Sequence, residues 1–213
     1  MPRTTGTYRV TALPSSLGWM AILGKGRAVQ QLVFGHSTRA RAIAALDEGM
    51  VRQARHAPRA SPSVALVPRP ESLCRSMKPT RCNGWALPTG THFLENVLVR
   101  RLQAYAEGEP EDFRDVQVDL DGLSRFRRRV FEACRQIPYG ETLSYAELAV
   151  RAGFPKAFRA VGNCLAANRV PLIIPCHRVV CSNGQIGRFS APGGGGMKQR
   201  LIQLEAPNWP RIE

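Results

Sequence analysis

Apolar and polar positions alternate near the start of the chain in the way strands require. The segment TYRVTAL (7–13) alternates, and LGWMAILGKGRAVQQLVFG (17–35) holds two apolar runs broken by Gly24, Lys25 and Gly26. Together they predict strands over 7–35 with a hairpin at the glycine turn. STRARAIAALDEG (37–49) predicts a short helix capped by Ser37 or Thr38. Further on, THFLENVLVRRLQAYAE (91–107) places Leu94, Val97, Leu98, Leu102 and Tyr105 on one face of a helix that Thr91 can cap. EGEPEDF breaks that helix, and VQVDL (116–120) predicts a short strand able to rejoin the first hairpin.

From residue 119 onward the period is helical. Ser124 can cap a helix whose apolar face is Phe126, Val130, Phe131, Cys134 and Ile137, ended by Pro138, Tyr139 and Gly140. Ser144 and Glu147 have the spacing of a capping box for a helix from Tyr145 to about Ala152, stopped by Gly153. Pro155 suits the first turn of another helix running to about Ala167. Two short helices joined by a Gly-x-Pro turn read as a helix-turn-helix or as an ordinary helical hairpin. Arg159 on a basic second helix tips the balance toward DNA.

Residues 51–90 break every pattern: six prolines, seven Lys or Arg and one acidic residue, with no sustained period. They are expected to form a long, mobile insertion. Cys74 and Cys82 lie in it, with His56 and His92 near its ends, but the spacing matches no strong zinc pattern. The sequence thus divides into 1–118, a sheet-and-helix part carrying the insertion, and 119–213, a helical part. The fold class expected is α/β (α+β): a small N-terminal sheet domain plus a helical C-terminal domain with a helix-turn-helix.

The chain has 213 residues and a formal net charge of +14, from 30 Lys or Arg against 16 Asp or Glu. The excess is spread evenly over both halves, which favours polyanionic partners; solubility or an arginine-rich coding bias is the plainer reading. No apolar run approaches the ~18 residues of a membrane span, and MPRTTGTYRVTALPSS lacks the apolar core of an export signal. A cytoplasmic, membrane-free protein is expected, with most of its six cysteines as free thiols. Cys134 and Cys164 fall within apolar helical patterns and read as core.

The chemistry concentrates at Pro175-Cys176-His177-Arg178-Val179, after the apolar run Val170–Ile174. A thiol beside apolar residues is usually inert packing. Here Arg178 would lower the cost of a thiolate, and a helical turn opened by Pro175 would set Cys176 at its positive end. From the residues alone, nucleophile and structural cysteine both stand.

The stretch SYAELAVRAGFPKAFRAVGNCLAANRVPLIIPCHRVVCSNGQIGRFS resembles the active-site domain of methylated-DNA–protein-cysteine methyltransferases, also called O6-alkylguanine-DNA alkyltransferases. The resemblance covers about residues 124–205 and rests on the Pro-Cys-His-Arg-Val core with Asn168, Arg159 and Tyr145 at matching distances before it. Residues 7–49 and 91–118 are similar in layout to the family's N-terminal domain; 51–90 departs from it.

The resemblance implies single-use transfer of an alkyl group from guanine O6, in double-stranded DNA, to Cys176, without metal or organic cofactor and by a monomer. His177 and Glu205 would act on the thiol through a water, since neighbouring side chains on one turn do not face each other. Asn168 would organise the segment holding Cys176, and Tyr145 would assist the leaving guanine. Arg159 would replace the extruded base in the stack. Ser190 would meet the flipped guanine at O6, Val179 would meet its edge by backbone, and Gly162 and Lys198 would complete the substrate and DNA surface. Taken singly, Glu205 reads as a surface carboxylate, Tyr145 as core and Asn168 as a helix C-cap.

Two departures stand out: Phe158 where a small residue is more usual, and Gly193–Gly196, expected as a soft loop lining the alkyl pocket. A lesion-binding relative would lack Cys176. A transcription regulator would need an effector domain, which is not evident. A thiol hydrolase would need turnover on a small substrate.

Overall fold

A computed structural model describes residues 8–47 and 97–209. The N-terminal pattern folds as a three-stranded antiparallel meander, β1 (Tyr8–Leu13), β2 (Trp19–Lys25) and β3 (Ala28–His36), in the order β1-β2-β3. The β2–β3 turn is the two-residue Gly26-Arg27, with Gly26 at φ +60°, the sign that tight hairpin turns demand of their first central residue. Gly18 is equally constrained: at φ +95°, a Cβ there would lie 2.9 Å from the His36 carbonyl oxygen.

Alternation along the strands buries both sheet faces. Ala21 and Leu23 pack with Ala42 and Leu46 beneath helix α1 (Arg39–Ala44), which Thr38 caps through Arg41 N–H. Met20, Ile22, Val29, Leu32 and Phe34 face the other way, into the main core.

That core is shared by both halves of the chain. Helix α2 (Leu98–Ala106) contributes Leu98, Leu102 and Tyr105, and helix α3 (Arg125–Arg135) contributes Val130, Phe131 and Cys134. Of the helix expected over 91–107, Thr91 and Leu94 lie outside the described residues, as does the whole 51–90 segment with Cys74 and Cys82. The strand expected at 116–120 is reduced to one parallel bridge, Val118 to Val29, held by Val29 N–H to Gln117 O and Asp119 N–H to Val29 O.

The helical part follows its caps. Ser144 closes β4 (Leu143–Ser144) and caps α4 (Tyr145–Arg151); the Ser144–Glu147 capping box is complete in both directions. The second helix, α5, spans Phe158–Ala166 and begins later than expected. Pro155 is not in its first turn: it occupies the second position of a turn closed by Ala157 N–H to Phe154 O at 2.9 Å, where a fixed φ near −65° is equally suited. Phe154 anchors that turn edge-on to Phe126 of α3. Nor is Asn168 a left-handed cap, since Leu172 is the one non-glycine residue at positive φ among those described.

The glycine run is helical rather than the soft loop expected. Helix α6 spans Gly194–Glu205, so three of the four glycines lie in its first turn, with Gly193 before it at φ +87°. The run looks soft because it has no side chains to pattern. The stripe Lys198, Leu201, Ile202 and Glu205, buried at i, i+3, i+4 and i+7, holds the helix in place.

Candidate active site

The segment 168–180 carries the site as a chain of tight turns. Ile174 N–H bonds to Val170 O at 2.9 Å, and Leu172, buried at the centre, takes φ +69°. A branched side chain in the left-handed region is a strained arrangement held by its surroundings. Pro175 (φ −79°, ψ 64°) then makes an inverse γ-turn, with Cys176 N–H bonded to Ile174 O at 2.8 Å. Cys176–Arg178 form one 3₁₀ turn, which runs into β5 (Val179–Val180), paired in parallel with β4. Leu32 N–H to Arg169 O, 2.8 Å, fastens the start of the segment to the N-terminal sheet.

Asn168 is the pivot. Its Nδ2 donates to Ile174 O at 2.9 Å and to Cys176 Sγ at 3.2 Å, while its Oδ1 accepts from Val170 N–H at 3.0 Å. It therefore fixes both the turn and the thiol. Cys176 is 5% exposed. Burial pushes its thiol up from the ordinary value; the Asn168 bond, the Lys198 charge and the N–H groups of residues 176 and 177 pull the other way.

Behind the thiol lies a buried ionic cluster centred on Glu205. Its Oε1 accepts from His177 Nε2 at 2.8 Å, Tyr105 Oη at 2.6 Å and Arg178 Nη2 at 2.9 Å. Its Oε2 accepts from Arg178 Nε at 2.8 Å and Gly140 N–H at 3.2 Å. Burial alone would raise this carboxyl, but His177 and Arg178 outweigh it and hold it well below the usual carboxylate range. His177 is fully buried, and burial lowers its imidazole despite Glu205. With Nε2–H given to the carboxylate, Nδ1 is the ring nitrogen with a free lone pair; it has no protein hydrogen-bond partner.

The structure corrects two single-residue readings here. Glu205 is 8% exposed and so is no surface carboxylate. Arg178 is not turned to the thiol; it spends its donors on Glu205 and on Ile137 O at 2.7 Å.

On the other side of the segment, Lys198 is fully buried, with Nζ donating to Val179 O at 2.5 Å and lying 3.4 Å from Tyr145 Oη. Burial lowers its ammonium to about 8 against the pull of Cys176, Cys181 and Cys134, and raises the Tyr145 phenol to about 12. Gly162 of α5 lies beside that phenol: a Cβ there would sit 3.8 Å from the ring. Gly187 (φ +73°) allows a closer approach still, its would-be Cβ falling 3.3 Å from Tyr145 Oη and from Cys181 Sγ.

Of the residues singled out from sequence, Cys176, His177, Glu205, Asn168, Tyr145, Lys198, Val179 and Gly162 thus converge. Arg159 and Ser190 do not join them; Arg159 is exposed on α5, and Ser190 is exposed next to Phe189, whose ring packs on Phe34. Tyr105 was legible only as an apolar helix position; its hydroxyl gave no signal. Glu205 and Lys198 do share a signal, the i, i+3, i+4, i+7 stripe of α6. Among the described residues no three His, Cys, Asp or Glu side chains cluster as a metal site would require.

Fold and site together define a two-part protein: a buried cysteine, backed by a histidine–carboxylate pair, lies behind a helix-turn-helix. Residues 125–207 match the family model of the 6-O-methylguanine DNA methyltransferase DNA-binding domain. The methylated-DNA–protein-cysteine methyltransferase of Mycolicibacterium paratuberculosis is 41% identical over 128 residues, 58% of this chain and 75% of that protein. The crystal structure of the Mycobacterium tuberculosis O6-methylguanine methyltransferase superposes with a TM-score of 0.60 at 28% identity, covering 97% of this chain and 96% of the other. The structure of the M. tuberculosis protein in complex with DNA gives 0.58, also at 28% identity, over 93% and 94%. This chain belongs to the methylated-DNA–protein-cysteine methyltransferase family.

Proposed function

We propose that this protein repairs O6-alkylguanine in double-stranded DNA by moving the alkyl group irreversibly to Cys176, once per molecule. The observation that carries the reading is the arrangement at Cys176: a thiol held by Asn168 next to a histidine whose Nε2 is fixed on a buried carboxylate.

His177 Nδ1 takes the thiol proton, through a water because Cys176 and His177 are consecutive on one turn. Glu205 stabilises the resulting imidazolium. The Sγ lone pair attacks the alkyl carbon in line, a C–S bond forms, and the bond to O6 breaks with its electrons passing to the guanine. Tyr145 supplies the proton that neutralises the departing base; afterwards the imidazolium of His177 releases its proton to solvent and the Tyr145 phenolate regains one from it, so that in sum the proton lost by Cys176 is gained by guanine. The product thioether has no good leaving group, and the protein does not turn over.

The atoms concerned are reachable only if the nucleotide leaves the duplex. Exposed Arg159, on the second helix of the helix-turn-helix, is suited to fill the gap, and the +14 charge supplies affinity independent of sequence.

The test mixes the protein with excess O6-methylguanine duplex and weighs the tryptic peptide that contains Cys176. Transfer should plateau at one methyl group per chain, on that peptide, and Cys176→Ala should bind DNA without accepting a methyl. Repeated turnover, or a methyl on Cys181, would overturn the reading.

A further inference from the structure

We propose that Phe158 is a base-stacking residue, so that the second helix of the helix-turn-helix presents an aromatic ring and a guanidinium together to the stack of lesion DNA. The proposal rests on the reading above that the ligand is duplex DNA.

Phe158 opens α5 and is 47% exposed. Among the described residues, it and Val150, 60% exposed, are the large apolar side chains most open to solvent, and both belong to the helix-turn-helix. A single exposed apolar residue is ordinary on a protein surface. This one is not isolated chemically: the Arg159 guanidinium carbon lies 5.7 Å from its ring centroid, within cation–π range, so ring and cation share one surface.

On α5 itself the other exposed positions, Ala160, Asn163 and Ala166, are short, so Phe158 and Arg159 are the long exposed side chains of that helix. Phe158 also sits one helical turn from Gly162, on the same side of α5, and Gly162 lies against the Tyr145 ring. That side of the helix runs from the exposed face toward Tyr145, Lys198 and Cys176.

Extruding a nucleotide strips one stacking partner from each flanking base. Arginine fills such a gap with charge and a planar edge. A phenyl ring offers the flanking base a π-face, which every base can use whatever its identity. With Arg159 in the gap, Phe158 meets the adjoining base.

The test measures DNA binding in a Cys176→Ala background, so the readout does not depend on alkyl transfer. Three duplexes of one sequence carry O6-methylguanine, unmodified guanine or an abasic gap at the same position. Phe158→Ala should weaken binding to the lesion and gapped duplexes roughly tenfold and to the unmodified duplex about twofold at most. Phe158→Trp should restore affinity, and Phe158→Leu, apolar without a π-face, should not. Equal affinity of the Ala variant and its parent for the lesion and gapped duplexes overturns the proposal. Equal loss on all three duplexes, or full restoration by Leu, overturns it as well. A parent with no preference for the lesion would contradict the functional reading. The gapped duplex would then still decide the stacking role, for or against.

Discussion

The Tyr105 hydroxyl donates to Glu205 Oε1 at 2.6 Å, so a residue of α2 closes onto the last residue of α6, which also receives His177 and Arg178. The carboxylate that orients the candidate base is thus held from the N-terminal half of the chain as well as from the C-terminal half. Ring packing secures the donor: Tyr105 meets Phe113 and Tyr139 edge-on, with centroids 5.9 and 6.1 Å apart.

Tyr105→Phe keeps those ring contacts and removes one bond to an ionised group. It should cost about 1.5–3 kcal/mol of stability in urea denaturation. Because His177 retains its own bond to Glu205, methyl transfer should fall less than in a Glu205 variant. An unchanged unfolding midpoint would show that the hydroxyl contributes nothing to the cluster.

Glu205→Gln should be far more damaging. The amide can accept on one oxygen, but its NH₂ must then face Arg178 or Gly140 N–H, both donors, and the guanidinium loses its charge partner. Breaking a buried pair in this way costs about 3–5 kcal/mol. The acid dependence should change too. The Glu205 carboxyl in the fold lies well below its ordinary value of 4.5. Its contribution is therefore complete above 4.5 and is lost as pH falls from there toward the folded value. Wild-type stability should drop on acidification from neutral pH to about 3 more steeply than that of Glu205→Gln. Parallel pH profiles of the unfolding free energy would remove Glu205 from the linkage.

Much of this site is legible in sequence, and what is hidden has a physical cause. Caps and periods are local, so Ser124, Thr38 and the Ser144–Glu147 box predict helix starts that the structure contains. The thiol, its histidine and Asn168 are close in sequence and travel together through a resemblance. Tyr105, by contrast, reads as one more apolar position of an amphipathic helix; only tertiary packing turns its hydroxyl toward Glu205. Arg178 looks like a neighbour of the thiol because it is two residues away, yet the 3₁₀ turn swings it to the opposite side. Pro155 fits a helix start and a β-turn equally well by its fixed φ, and the packing of Phe154 on Phe126 selects the turn. The glycines at 194–196 carry no pattern at all, and their helix is set by the buried stripe that follows them.

Asn168→Ala should loosen Cys176 without removing any charge. Three hydrogen bonds are lost, and Val170 N–H is left without its partner, which predicts a loss of about 1–3 kcal/mol. The donor to Sγ also disappears, so the thiol should rise further and alkylation of Cys176 by iodoacetamide at neutral pH should slow. Asn168→Asp should slow it more, since a carboxylate would face the developing thiolate. Equal alkylation rates for the Asp variant and the wild type would break the link between Asn168 and the thiol.

Lys198 is the cation placed to support the Cys176 thiolate, and its pH behaviour can be worked out from its burial. The ammonium bonds to Val179 O and lies over the Tyr145 ring, 5.5 Å from the centroid. Removal from water brings it from 10.5 to about 8. Below that value it is charged and favours the thiolate; above it, the charge and the support fade together. Lys198→Met keeps the length and removes the cation, so Cys176 should be alkylated more slowly at pH 7, by about tenfold for each unit that its thiol rises. In the wild type, the climb of rate with pH should flatten above about 8, whereas the Met variant should follow one thiol displaced to higher pH. Stability moves in a defined direction. Between 8 and 10.5 the unfolded chain binds the Lys198 proton more firmly than the fold does, so wild-type stability should rise with pH across that window relative to the Met variant. Chemical denaturation of both proteins at the two ends of the window reads that difference directly. A Met variant that reproduced the wild-type rate profile and the wild-type rise in stability would show that Lys198 is buried for packing alone.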